Sequence, residues 1–283
     1  MIYKLRLLLD SIRFEHTLFA LPFAYLGMIL ASEGLPSLYQ FWWITIAMAS
    51  ARTLAMSCNR IIDREIDAAN PRTSQRHIPS GAISLVEMFS MALASLLIFF
   101  FASYMLNELA FILSPLAALI VVGYSYTKRF TWLSHIILGI ADGIAPAGGW
   151  IAVTGTFSWE PALMAFLVTT WIAGFDILYS CQDYDFDLKN DLHSIPQRFG
   201  IEAAFWWSRA LHLITSLLLL VLGVLFSLGF TYYIGWFIVS MLLIYEHRLV
   251  SPKDLTKLNM AFFNVNSYIA VMVLVSTLVA LHV

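Results

Sequence analysis

Two acidic clusters in this chain have the residue types and spacing to bind a hard cation. The first reads Asn59-Arg-Ile-Ile-Asp63-Arg-Glu-Ile-Asp67 and the second Asp176-Ile-Leu-Tyr179-Ser-Cys-Gln-Asp183-Tyr-Asp185-Phe-Asp187. On a helix, a spacing of four stacks side chains on one face. Asn59, Asp63 and Asp67 then form one column and Asp183 with Asp187 a second, with Asp176 about two turns earlier. Asp185, two residues from either neighbour, turns away from its column. Carboxylate and amide oxygens with no His or Cys completing the set suit Mg²⁺ rather than a soft transition metal, and Mg²⁺ held by few protein ligands keeps positions open for substrate phosphates. One such cluster alone reads as a solvated helix end. A matched pair reads as a site, and two carboxylate columns facing each other away from water repel unless positive charge lies between them.

The neighbouring cations suit an anionic phosphate. Arg72 and Arg76 follow the first cluster in Asn70-Pro-Arg72-Thr-Ser-Gln-Arg76-His-Ile-Pro79-Ser-Gly81, and Lys128 follows Tyr124 and Tyr126. Arginine offers forked donors to phosphate oxygens and lysine a compact point charge. Arg129, Lys253 and Lys257 read instead as charges that set membrane topology. Arg52 sits inside an apolar segment, where it pairs with Asp176, with Asp142 or with an anionic substrate group. Asp142, in Gly139-Ile-Ala-Asp142-Gly-Ile-Ala-Pro146, has helix breakers around it and is expected to face a cavity. His16, beside Glu15, reads as an interface histidine rather than a general base. Cys58 and Cys181 are too few for a disulfide framework and read as reduced and structural. The many aromatic and Met residues read as lipid-facing or packing residues.

The elements that must position these groups are membrane spans. Of 283 residues, 60% are AVILMFWYC and 12% are charged, and the mean hydropathy is +0.79. A soluble domain of this size carries about a quarter charged residues, so most of this exterior faces something other than water. The composition excludes a nucleic-acid reader, a secreted disulfide scaffold and a disordered chain. Residues 1–15 interleave charged and apolar side chains, which excludes a cleavable signal peptide and predicts an amphipathic helix at the membrane interface. Apolar runs of about 20 residues fall at 16–35, 38–62, 83–106, 109–127, 134–155, 161–182, 203–227, 229–247 and 259–281. This predicts an all-α polytopic membrane protein with about nine transmembrane helices in a single domain over 1–283. With nine spans, 14 of the 16 Lys and Arg share one side with the N-terminus, while Glu33, Glu108 and Glu160 mark the other. The positive-inside rule makes the basic face cytoplasmic, and both acidic clusters open onto it. Segments 63–82 and 183–202 are then cytoplasmic active-site loops. A cation-coupled transporter, the competing class, would place its acids at the bilayer midplane with paired broken helices in two halves.

The motifs Asn59-x3-Asp63-x3-Asp67 and Asp183-x3-Asp187 resemble the two aspartate-rich motifs of the UbiA superfamily of intramembrane prenyltransferases. The similarity extends to Phe19-Ala-Leu-Pro22-Phe23-Ala, Arg72-Thr-x2-Arg76-x2-Pro79-Ser-Gly81, Gly123-Tyr124-Ser-Tyr126-Thr-Lys128-Arg and Leu192-His193-Ser194-Ile195-Pro196-x-Arg198-Phe-Gly200, and so covers nearly the whole chain. Within the superfamily it is similar to 4-hydroxybenzoate polyprenyltransferases. The Leu-His-Ser-Ile-Pro run is similar to a branch from bacteria that make menaquinone by the futalosine route, which gives a hydroxynaphthoate as the alternative acceptor. The resemblance implies a helical bundle around a central cavity open sideways to lipid, with two Mg²⁺ ions bridging the aspartate motifs to a polyprenyl diphosphate. By position it implies Asn59, Asp63, Asp67, Asp183 and Asp187 as metal-site residues, supported by Asp176. It implies Arg72, Arg76, Tyr124 and Lys128 as diphosphate contacts and Arg52 on the side of an aromatic hydroxy-acid acceptor. The implied reaction is ring C-prenylation ortho to a phenol, in respiratory quinone synthesis at the cytoplasmic (inner) membrane.

Overall fold

A computed structural model describes residues 2–13 and 17–282; Glu15 and His16 lie outside the described residues. The chain runs α1 (Ile2–Ser11), α2 (Thr17–Ala31), α3 (Leu38–Ile62), α4 (Arg64–Ala69), α5 (Leu85–Leu106), α6 (Glu108–Thr127) and α7 (Ser134–Thr154). It continues through α8 (Trp159–Ser180), a 3₁₀ turn (Cys181–Asp183), α9 (Tyr184–Lys189), α10 (Ile195–Phe199), α11 (Ile201–Leu225), α12 (Phe230–Leu249), a π-helical turn (Met260–Val265) and α13 (Asn266–Ala280). Among the described residues the only β pairing is an isolated bridge between Ser251 and Asp254.

Local sequence sets the helix ends. Capping boxes open α3 at Ser37 and Gln40 and α5 at Ser84 and Glu87, each serine oxygen accepting from the backbone N–H three residues on. A single residue, Asn107, separates α5 from α6. Its Oδ1 accepts from Ala110 N at 2.9 Å, and its Nδ2 donates to the Ile151 and Ala152 carbonyls near the end of α7. Gly155, at φ 64°, stops α7 with the left-handed residue that glycine adopts without cost.

Helix α7 is central. It packs against α8 and α2 so closely that a Cβ on Gly139 would strike the Thr169 carbonyl and one on Gly149 the Ala24 carbonyl. Trp171, 1% exposed, anchors the largest apolar cluster, in which Leu26, Leu167, Leu219, Tyr232 and Ile269 bring together α2, α8, α11, α12 and α13. Its indole N–H donates to Asn266 Oδ1 at 2.7 Å, and Asn266 Nδ2 donates to Glu246 Oε1 at 3.2 Å, a buried polar chain that links α8, α13 and α12. Just past α1, Ile12 is buried against Ile83 and Met88.

The outward face is apolar: Leu97, Phe101, Leu119 and Trp206 are each more than half exposed on helices with few charges. Among the described residues, six helical segments are long and apolar enough to cross a membrane: Leu85–Leu106, Glu108–Thr127, Ser134–Thr154, Trp159–Lys189, Ile201–Leu225 and Phe263–Ala280. This is an integral membrane protein built of helices. The runs at 16–35, 38–62 and 229–247 coincide with α2, α3 and α12, which are not among those six. The segments read as loops contain the short helices α4, α9 and α10, and 201–202 already belong to α11. Gly200, at φ 86°, lets the chain turn straight from α10 into α11.

Candidate active site

Both acidic clusters sit where a long helix breaks. Asp63 ends α3 and starts α4 at φ −91°, ψ 3°, and Asp183 stands before α9 at φ −98°, ψ 5°. These are bridge-region conformations, in which active-site residues are often found. The expected unbroken columns are therefore bent at their middle acid. Asn59 still stacks on Asp63, its Nδ2 donating to Oδ2 at 2.8 Å, while Asp67 and Asp187 are carried on separate six-residue helices. The bend turns both short helices across the mouth of one cavity of about 1050 Å³, which Asn59, Asp63, Asp67, Asp183 and Asp187 all line. Asp185 is exposed and outside it.

The positive charge that such a pair of clusters requires is present. Arg72 forks onto Asp183, Nε donating to Oδ1 at 2.9 Å and Nη2 to Oδ2 at 2.5 Å, and Asn70 Nδ2 adds a third bond to Oδ1 at 2.9 Å. Segment 70–72, which follows the first cluster, is thereby tied to the second. Burial works against the Arg72 charge, but the hydrogen bond and charge of Asp183 outweigh it and raise its pKa. Arg76 Nη1 bridges both oxygens of Asp67 at 2.7 and 2.8 Å. Lys128 Nζ donates to Asp63 Oδ2 at 2.6 Å, and Ser194 Oγ donates to Asp187 Oδ2 at 2.9 Å. Asp63, Asp67 and Asp187 are each less than one-tenth exposed, so these partners offset a substantial desolvation cost.

Arg129, read as a topology charge, also reaches the first cluster. Its Nη2 lies 3.2 Å from Asp63 Oδ1 and donates to the Ile62 carbonyl at 2.7 Å, which supports the break in α3 from behind the cavity. Deeper in, Arg52, Tyr124 and Asp142 line the same cavity. Asp176 is bound by a residue that the sequence reading passed over: His135 Nδ1 lies 2.7 Å from its Oδ2. Ser194 and Asn70 lie in the runs 192–200 and 70–81, where residue type alone assigns them no role, and His135 carries no sequence signal beyond its place at a helix start.

Arg52, Tyr124 and Asp142 also border a second cavity of about 340 Å³ between α3, α5, α6 and α7, walled largely by Ala, Ile, Leu and Met. Charged groups at the mouth and an apolar slot behind suit a substrate with an anionic head and a hydrocarbon tail. Among the described residues no three His, Cys, Asp or Glu side chains already close on one metal position. The donors are nonetheless all oxygen or amide, and the buried Asp63 Oδ1 has the Arg129 ion pair but no hydrogen bond. That set fits an oxygen-seeking divalent cation.

Fold and site together are those of a helical membrane protein whose charged cavity leads into an apolar slot. Residues 20–268 match the UbiA prenyltransferase family. The chain is 30% identical over 253 residues to a 4-hydroxybenzoate octaprenyltransferase of Pseudoalteromonas translucida, covering 89% of this chain and 86% of that protein. Its fold is similar to the apo structure of a UbiA homolog from Aeropyrum pernix K1, with a TM-score of 0.86 and 32% identity over 94% of this chain and 98% of that one. A UbiA homolog from Archaeoglobus fulgidus, bound to DMAPP and Mg²⁺, shares the fold at a TM-score of 0.69 and 21% identity over 94% and 98% of the two chains. The chain belongs to the UbiA prenyltransferase family and is a prenyltransferase.

Proposed function

We propose that this enzyme transfers a polyprenyl group from a polyprenyl diphosphate to the ring carbon ortho to the hydroxyl of 4-hydroxybenzoate, with Mg²⁺, in ubiquinone-type respiratory quinone synthesis. The observation that carries the reading is the Arg72–Asp183 fork, which joins the two aspartate clusters across one cavity. Asn59, Asp63, Asp67, Asp183 and Asp187 would hold Mg²⁺, as two ions. When bound, the metal neutralises diphosphate charge as a Lewis acid.

The protein's own groups account for the rest. Arg72, Arg76 and Lys128, with Tyr124, hold the diphosphate and stabilise the negative charge that grows on it as the allylic C–O bond breaks. These cations lie on the carboxylates in the structure, and a metal diphosphate offers each side a replacement partner of the right sign. Arg52, deeper and beside Asp142, takes the acceptor carboxylate, with Asp176 supporting that region. The slot between α3, α5, α6 and α7 takes the first isoprene units and keeps water from the allylic cation. The helices make nine spans with the N-terminus and the basic connections in the cytoplasm, α1 lies along the interface, and the enzyme resides in the inner membrane as one domain.

The test is to incubate detergent-purified protein with Mg²⁺, a long-chain polyprenyl diphosphate and, separately, 4-hydroxybenzoate or a hydroxynaphthoate, and to identify lipid products by mass spectrometry. The expected result is prenylated 4-hydroxybenzoate that disappears on chelation. Product from the naphthoate alone would replace the acceptor, and no Mg²⁺-dependent product from either would contradict the proposal.

A further inference from the structure

Prenyl transfer to an aromatic ring leaves one ring proton to be removed, and the metal-site carboxylates are each held by Lys, Arg or Ser donors. A separate pair in the same cavity is built differently. Asp176 lies seven residues before Asp183 on α8, about 10 Å along the axis. Its Oδ2 is 2.7 Å from Nδ1 of His135, on the first turn of α7. The His135 side chain is 6% exposed and that of Asp176 22%, and both line the cavity.

A carboxylate at Nδ1 keeps the imidazole proton there and leaves the Nε2 lone pair free to accept another. The other neighbour of Nε2 does not take that role. Ser180 Oγ is 3.4 Å away and already donates to the Ile177 carbonyl at 2.8 Å. Along α7, Leu138 and Asp142 follow His135 on the cavity face. His135 thus lines one cavity with the carboxylate–cation cluster and with Arg52 and Asp142, and Asp142 lies seven residues on, about 10 Å along α7; an aromatic ring held near Arg52 and Asp142 would share that cavity with it.

We propose that His135 is the base of the reaction and that Asp176 is its positioning residue; the proposal rests on the prenyl transfer put forward above. As the allylic C–O bond breaks, its electron pair leaves with the diphosphate. A ring π pair forms the new C–C bond. The electrons of the C–H bond at that carbon return to the ring and the proton goes to His135 Nε2, which later releases it to water at the mouth. Asp176 remains a carboxylate throughout, fixing the tautomer and stabilising the imidazolium.

The test compares wild type, His135→Gln and Asp176→Asn with the acceptor that the wild type prenylates, unlabelled and deuterated at the ring carbons ortho to the hydroxyl. A positioned base contributes about 10²-fold or more, so His135→Gln should lower kcat by that order. The KM for the prenyl diphosphate should stay within about threefold, as it does when only transition-state assistance is removed. The isotope effect should rise above the wild-type value, because ring deprotonation becomes slower relative to ionisation. Asp176→Asn should show the same signature with a smaller loss, and Asp176→Glu should recover part of it. A kcat for His135→Gln within about threefold of wild type, or a loss with an unchanged isotope effect, would overturn the assignment. If His135→Gln no longer binds prenyl diphosphate, Asp176→Asn decides on the same readout. A wild type that makes no Mg²⁺-dependent product overturns the prenyl-transfer proposal itself, an outcome distinct from an active wild type that His135→Gln leaves unchanged.

Discussion

At the scale of single residues, the site is a set of carboxylates each matched to its own donor. Arg72 meets both oxygens of Asp183 with two nitrogens, a geometry that lysine cannot reproduce. Arg72→Lys should therefore raise the KM for prenyl diphosphate by about tenfold despite the retained charge, measured by steady-state kinetics in detergent. Arg129 gives a contrast within one residue type. Its contact with Asp63 predicts that Arg129→Ala lowers activity by about tenfold or more, the cost of leaving a buried charge less well paired, whereas Lys253→Ala on an exposed turn should leave it unchanged. The acids and the Arg72, Arg76 and Lys128 set were legible because a spacing of four survives a helix bend. Arg129 was not, because an arginine beside a membrane helix carries the same sequence signal whether it sets topology or reaches an aspartate. His135 was hidden for a similar reason, since its partner Asp176 is 41 residues away on another helix.

At the scale of elements, the aspartates cluster at the breaks after α3 and α8, and α7, which carries His135, packs closely on α8 and α2. The apolar runs placed the long helices to within a few residues, since burial in lipid demands continuous apolar length. The bends at Asp63 and Asp183 were not legible, because a polar helix end reads alike as loop or as short helix. Glycines on α7 set how near α8 and α2 approach. Gly149→Leu should force α2 from α7 and cost about 1–3 kcal/mol by overpacking, seen as a lower Tm in detergent. Asn107→Ala removes the α6 cap and the bonds to Ile151 and Ala152, and should cost about 1–2 kcal/mol by the same measurement. Filling the slot between α3, α5, α6 and α7 with Ala51→Phe should shift preference toward shorter prenyl diphosphates, read from competing donors of two lengths.

At the scale of the whole molecule, function depends on sidedness and on the two clusters acting together. The Lys and Arg distribution behind the expected orientation is a property of the chain as a string; the shape of the cavity was not legible because helices far apart in sequence, from α1 to α13, contribute its wall. In a background with Cys58 and Cys181 replaced by serine, Lys253→Cys should react with an impermeant thiol reagent only from the cytoplasmic side. Thr156→Cys, on the opposite connection, should react only from the other side, and labelling of both from one side would contradict the topology. The central claim is that the two aspartate clusters act as one site. Its most direct measurement is Mg²⁺-dependent product formation by purified wild type, Asp63→Ala, Asp183→Ala and the double variant, each confirmed as folded. Groups that act as a unit lose activity non-additively, so each single variant should fall to background, and the double no lower than either. Substantial turnover in a folded Asp63→Ala enzyme, or losses that multiply as from independent sites, would contradict it.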